Sequence, residues 1–120
     1  MNPAKDNEKT DIAEILDENK GLDIHTMDVS HLTTLTETMI ICTANSKQHA
    51  QALATKIQRY CKNKGIKKVQ PEGYSHGEWI IVDTTRTFVH IFQQEWRDKY
   101  SLEKLWSISE DALNKQPPHD

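Results

Sequence analysis

Trp79-Ile80-Ile81-Val82-Asp83, then Thr84-Thr85-Arg86, then Thr87-Phe88-Val89-His90-Ile91-Phe92 decide the fold. Two apolar runs of strand length joined by a tight polar connection read as an antiparallel hairpin. The near-continuous apolarity of the first run predicts burial on both faces and a place at the centre of a sheet. Beyond the hairpin, Trp96, Tyr100, Leu102 and Trp106 are interspersed with Glu95, Arg97, Asp98, Lys99, Glu103 and Lys104. Rigid apolar groups among charges suit a protein–protein contact, where the aromatics anchor and the charges orient. The same aromatics would serve equally to dock a C-terminal helix on the core, and the residues alone leave both readings open.

Upstream lies a turn-rich polar loop, Pro71-Glu72-Gly73-Tyr74-Ser75-His76-Gly77-Glu78. Loops of this kind carry function more often than cores do. A short strand is expected before it, near Lys68 to Gln70. Earlier still, Ala50, Leu53, Ala54, Ile57, Tyr60 and Cys61 mark one face of a helix of about four turns. Asn45 or Ser46 caps its start, and Gly65 sits where a C′ glycine ends a helix. Met39-Ile40-Ile41-Cys42-Thr43 is an apolar strand, and Ile24 to Val29 an alternating one, with Ser30 to Thr38 a loop or single helical turn between them. Asp11 and Glu14 form a helix-start signal, Ile12, Ile15 and Leu16 recur at helical spacing, and Gly21 is a stop. Residues 1–10 are expected to fray.

The order helix, strand, strand, helix, strand, strand, strand, short helix defines an α+β (α/β) domain with a mixed β-sheet and flanking helices. At 120 residues the chain holds one domain. That domain is expected to span 1–107, with a flexible tail over 108–120.

Charged residues make up 28% of the chain and mean hydropathy is −0.75, as in a soluble protein. No apolar run approaches the roughly 18–20 residues of a membrane span. No apolar segment follows Met1, so no secretory signal is expected. The net charge is −3. Its distribution is uneven: residues 1–21 carry six acids against three bases, whereas 56–68 carry Lys56, Arg59, Lys62, Lys64, Lys67 and Lys68 and no acid. That basic run either contacts nucleic-acid phosphates or is a solvated helix end whose cations oppose the helix dipole. Cys42 and Cys61 read as buried free thiols.

Catalytic patterns are weak. The six histidines form no metal-binding spacing. Cys42, His49 and Asp83 could be assembled into a nucleophilic triad, but the apolar neighbours of Cys42 raise rather than lower a thiol pKa. Thr43-Ala44-Asn45-Ser46 could place helix amides on an anion. Two-metal phosphoryl chemistry needs paired carboxylates, and no D-x-D occurs in the sequence. His90, alone in a strand, is either hydrogen-bonded within the structure or on a sheet face that a partner covers. No enzyme activity, cofactor or metal is expected.

Taken in order, several segments resemble the ribosomal silencing factor family, also called Iojap-like proteins. They are Met39 to Thr43 continuing into Ser46-Lys47-Gln48-His49, Glu72-Gly73 ahead of Trp79 to Asp83, Val89 to Phe92, and Arg97-Asp98-Lys99-Tyr100-Ser101-Leu102-Glu103-Lys104-Leu105-Trp106. The likeness covers roughly residues 5 to 107. It departs from the family at Glu37, where aspartate is usual, near Ala44, where a glycine is usual, and at Thr84-Thr85-Arg86, where a glycine is common. These departures bear on two turns.

The resemblance implies a nucleotidyltransferase-like fold without catalytic carboxylates. It implies a cytoplasmic translational repressor that binds the large ribosomal subunit at its fourteenth ribosomal protein, sterically blocks small-subunit joining and lowers translation when nutrients are short. A nucleotide-handling enzyme and a large-subunit assembly factor are the alternatives. The contact residues expected here are Glu72, Trp79, Asp83, His90, Tyr100, Leu102 and Glu103. Trp79 and Tyr100 would be anchors, the acids would pair with a basic partner and Leu102 would seal the patch. A homodimer off the ribosome is a further expectation, with RNA contact secondary.

Overall fold

In the computed structural model the backbone is described for residues 3–66 and 69–100, and side chains for 8–66 and 69–98. The elements are α1 (Pro3–Glu18), β1 (Leu22–Asp28), β2 (Thr38–Ala44), α2 (Lys47–Asn63), β3 (Trp79–Asp83), β4 (Thr87–Gln93) and α3 (Gln94–Tyr100). The four strands form a mixed sheet in the order β1-β2-β4-β3. The hairpin β3–β4 is antiparallel, with Ile81 opposite His90, and β4 runs parallel to β2, with Ile41 opposite His90. The expected domain boundary at 107 and the tail beyond it lie outside the described residues.

Strand alternation sorts the apolar residues onto two faces. Ile40, Cys42, Ile80, Val82, Val89 and Ile91 meet Ile12 and Leu16 of α1 and Leu53, Ala54 and Ile57 of α2. Met39, Ile41, Trp79, Ile81 and Phe92 make a second cluster on the opposite face, joined by Val29, Leu32 and Trp96. A buried Leu or Ile contributes about 1.5–3 kcal/mol, so both faces hold the sheet together.

α2 follows its sequence signals. Ser46 Oγ accepts from the His49 amide at 3.0 Å. At the other end Gly65 has φ +74°, and the Ile66 amide donates to the Cys61 carbonyl at 2.9 Å, which closes a Schellman cap.

Other expectations require correction. β3 is an edge strand, not the centre. Its apolarity on both faces comes from the helices on one side and the second cluster on the other. No strand forms at Val69 and Gln70. Pro71 follows them with no N–H to donate, and the β3 edge instead receives a single bridge, in which Glu72 and Ile81 exchange backbone bonds of 2.9 and 3.0 Å.

α1 starts at Pro3 rather than near Asp11 because Glu8 is drawn inside. Its carboxylate accepts from the hydroxyls of Thr84 at 3.1 Å and Thr87 at 2.9 Å. The helix is closed by Lys20, at φ +67°, and not by a left-handed Gly21. Gly21 is required for another reason: a Cβ there would lie 2.6 Å from Cys42 Sγ and 2.8 Å from the Leu16 carbonyl oxygen.

Candidate functional site: an aromatic sheet face and α3

Because β3 and β4 are antiparallel, Trp79, Ile81 and Asp83 point to the side that Phe88, His90 and Phe92 also use. This is the face turned away from α1 and α2. Trp79 Nε1 donates to His90 Nδ1 at 2.9 Å, and its ring stacks on Phe92 at 5.0 Å. The His90 ring lies 6.1 Å from Phe92, nearly coplanar in orientation. Burial pushes the His90 imidazole down to about 3, so it is neutral and accepts the indole proton.

α3 borders this face. The Arg97 guanidinium turns inward and its Nη1 donates to the Asp23 carbonyl at 2.6 Å and to Thr43 Oγ1 at 2.7 Å. The start of β1 and the end of β2 are thereby tied to a helix of 7 residues too short to hold its own shape. Trp96 packs against the same cluster. In the sequence Arg97 is one charge among the aromatics and opens the family-like segment Arg97 to Trp106. Nothing in its spacing distinguishes a buried clamp from a solvated arginine.

The expected contact residues divide into three groups. Glu72 and Asp83 are exposed. Asp83 is also engaged in its own turn, where Oδ1 accepts from the Thr85 amide at 2.7 Å. That bond supports Thr85 at φ +78° in the hairpin turn. Trp79 and His90 are each 1% exposed. They present no surface in the free chain, because the second face has an apolar cluster of its own and their rings lie within it. Tyr100 is the last residue of α3, and Leu102 and Glu103 lie outside the described residues.

The enzyme-like constellations do not assemble. Cys42 sits in the helix-side core, where burial pushes its thiol up to about 11, and burial likewise raises Cys61 to about 11. His49 Nδ1 accepts from the Asn45 amide at 2.9 Å, which leaves Nε2–H to donate to the Asn19 carbonyl at 2.8 Å. The Asn45 amide before α2 and the His49 amide in its first turn are therefore satisfied by the protein itself. Among the described residues no helix is long and apolar enough to cross a membrane.

A mixed four-stranded sheet with helices on one face and a clamped short helix bordering the other defines an α+β domain. Comparison with known proteins places it in a family. The model of the family described as "ribosomal silencing factor during starvation" matches residues 3–120. The ribosomal silencing factor RsfS of Haemophilus influenzae is 40% identical over 80% of this chain and 94% of its own length. A crystal structure of a Chromobacterium violaceum protein superposes with a TM-score of 0.80 at 32% identity, covering 95% of this chain and 90% of that one. A more distant mouse relative, named mitochondrial assembly of ribosomal large subunit protein 1, is 26% identical over 81% of this chain and 44% of its own. The chain belongs to the ribosomal silencing factor family.

Proposed function

We propose that this protein binds the large ribosomal subunit in the cytoplasm through the fourteenth ribosomal protein and blocks joining of the small subunit, lowering translation when nutrients are limiting. The observation that carries the reading is the family match over residues 3–120, which takes in α3 and Tyr100-Ser101-Leu102-Glu103, with α3 held by Arg97. Glu72 and Asp83, with Glu95 and Asp98 of α3, are exposed carboxylates. A ribosomal protein is expected to be basic, so these acids steer it, while Tyr100 and Leu102 supply apolar anchors and Glu103 a pairing charge. In this scheme Trp79 and His90 form the rigid floor beneath the contact.

The mouse relative's name favours a second reading, in which the chain acts in large-subunit assembly. Both begin with the same contact. Immobilised fourteenth ribosomal protein is expected to capture the wild-type chain, and Glu103→Lys to lower the affinity at least 10-fold. Equal capture of Glu103→Lys and of a variant carrying Glu72→Lys and Asp83→Lys would remove this surface from the account.

A further inference from the structure

On the opposite side of the molecule, α2 and the segment after it enclose an open groove of about 730 Å³, lined by Thr55, Gln58, Arg59, Lys62, Gly65 and Val69 among others. No acid lines it. Lys56, Arg59 and Lys62 are exposed, and among the described residues none of them is ion-paired. They recur every third residue and span about 9 Å of helix axis while turning about 120° around it, so Arg59 and Lys62 line the groove and Lys56 flanks it. Asp11, packed against the end of α2, is engaged by Tyr60, whose hydroxyl donates to it at 2.8 Å.

The helix dipole does not account for this charge. Its pull on cations fades within the last turn. Lys62 lies in that turn, whereas Lys56 and Arg59 come before it. An exposed aromatic stands beside the cations. Tyr74 is 39% exposed, its carbonyl accepts from Gln51 Nε2 at 2.8 Å, and its hydroxyl lies 3.4 Å from Thr55 Oγ1 on the groove wall. The wall itself is braced by Gln58 Nε2, which donates to the Val69 carbonyl at 2.8 Å.

We infer that the groove beside α2 is a docking site for single-stranded RNA, with Lys56, Arg59 and Lys62 on successive phosphates and Tyr74 stacked on a base. Unpaired cations beside an exposed ring are the two parts such a site needs. An acidic peptide would use the cations but not the ring. Its cations lie on α2, which the protein contact proposed above does not use, while Tyr74 shares the loop 71–78 with Glu72.

The test is fluorescence anisotropy with a labelled, unstructured 20-nucleotide RNA between 50 and 200 mM KCl. Neutralising three phosphates predicts a slope of log K against log salt of about −2. Arg59→Glu with Lys62→Glu should weaken binding at least 10-fold and flatten that slope. Tyr74→Ala should weaken it several-fold with the slope unchanged. Lys9→Glu with Lys20→Glu makes the same change in net charge elsewhere and should leave affinity within 2-fold. Absence of salt-dependent binding, equal loss in the two charge-reversed variants, or displacement of the RNA by an equal charge of poly-glutamate would each overturn the assignment.

Discussion

Replacing Trp79 with alanine is expected to lower unfolding stability by about 3–5 kcal/mol, the cost of deleting a large buried aromatic from a packed cluster. The ring is 1% exposed, stacks on Phe92 and donates to His90. Trp79→Phe separates the two contributions. It keeps a ring in the cluster but removes the indole N–H, and leaving the His90 acceptor without that donor costs about 1–3 kcal/mol. Urea midpoints read both variants. The same pair sets an acid response. His90 titrates at about 3 when folded against an ordinary 6.5. As pH falls below 6.5 the unfolded chain binds this proton and the folded chain does not. Stability is therefore full above pH 6.5 and declines toward pH 3, by at most about 1.4 kcal/mol per unit. His90→Gln should remove this part of the decline, and an unaltered pH profile in that variant would contradict the assignment.

Arg97→Ala should cost about 2–3 kcal/mol and, more specifically, release α3. The substitution leaves the Asp23 carbonyl and Thr43 hydroxyl without the guanidinium hydrogens they now receive at 2.6 and 2.7 Å. Hydrogen exchange of the α3 amides should accelerate at least 10-fold, while exchange in α2, which is capped by Ser46 and Gly65, changes far less. Arg97→Lys should recover only part of the loss: both bonds leave a single nitrogen, Nη1, but an ammonium is a compact, strongly hydrated charge on a differently shaped stem. Uniform acceleration across α2 and α3 would mean that Arg97 supports the whole fold and not this helix in particular.

The parts of this architecture that were legible in sequence are those with a strong period or a specific cap. The β3–β4 hairpin followed from two apolar runs around a three-residue polar turn. α2 followed from its apolar face, Ser46 and Gly65. Strand position was not legible, because an edge strand covered on both faces has the same composition as a central one. For this reason β3 was expected at the centre. The early start of α1 depends on Glu8 meeting Thr84 and Thr87, more than seventy residues away. No local pattern encodes such a pairing.

The placement of the expected contact residues was only partly legible. Glu72 and Asp83 are exposed, as a contact role requires. Trp79 and His90, however, alternate onto a face with its own buried cluster, which Val29, Leu32, Met39 and Ile41 complete from a distant part of the chain. Arg97 was missed for a related reason: its partners are a β1 backbone carbonyl and a β2 hydroxyl, and neither has a sequence signature.

Subunit joining tests the central claim most directly. Purified large and small ribosomal subunits are mixed at joining magnesium concentrations, with and without the protein, and resolved on a sucrose gradient. The account predicts loss of the joined peak, with the protein in the large-subunit fraction, and recovery of the peak with Glu103→Lys. An unchanged joined peak with the protein left at the top of the gradient would contradict it, and co-sedimentation with the large subunit beside an intact joined peak would replace silencing with assembly.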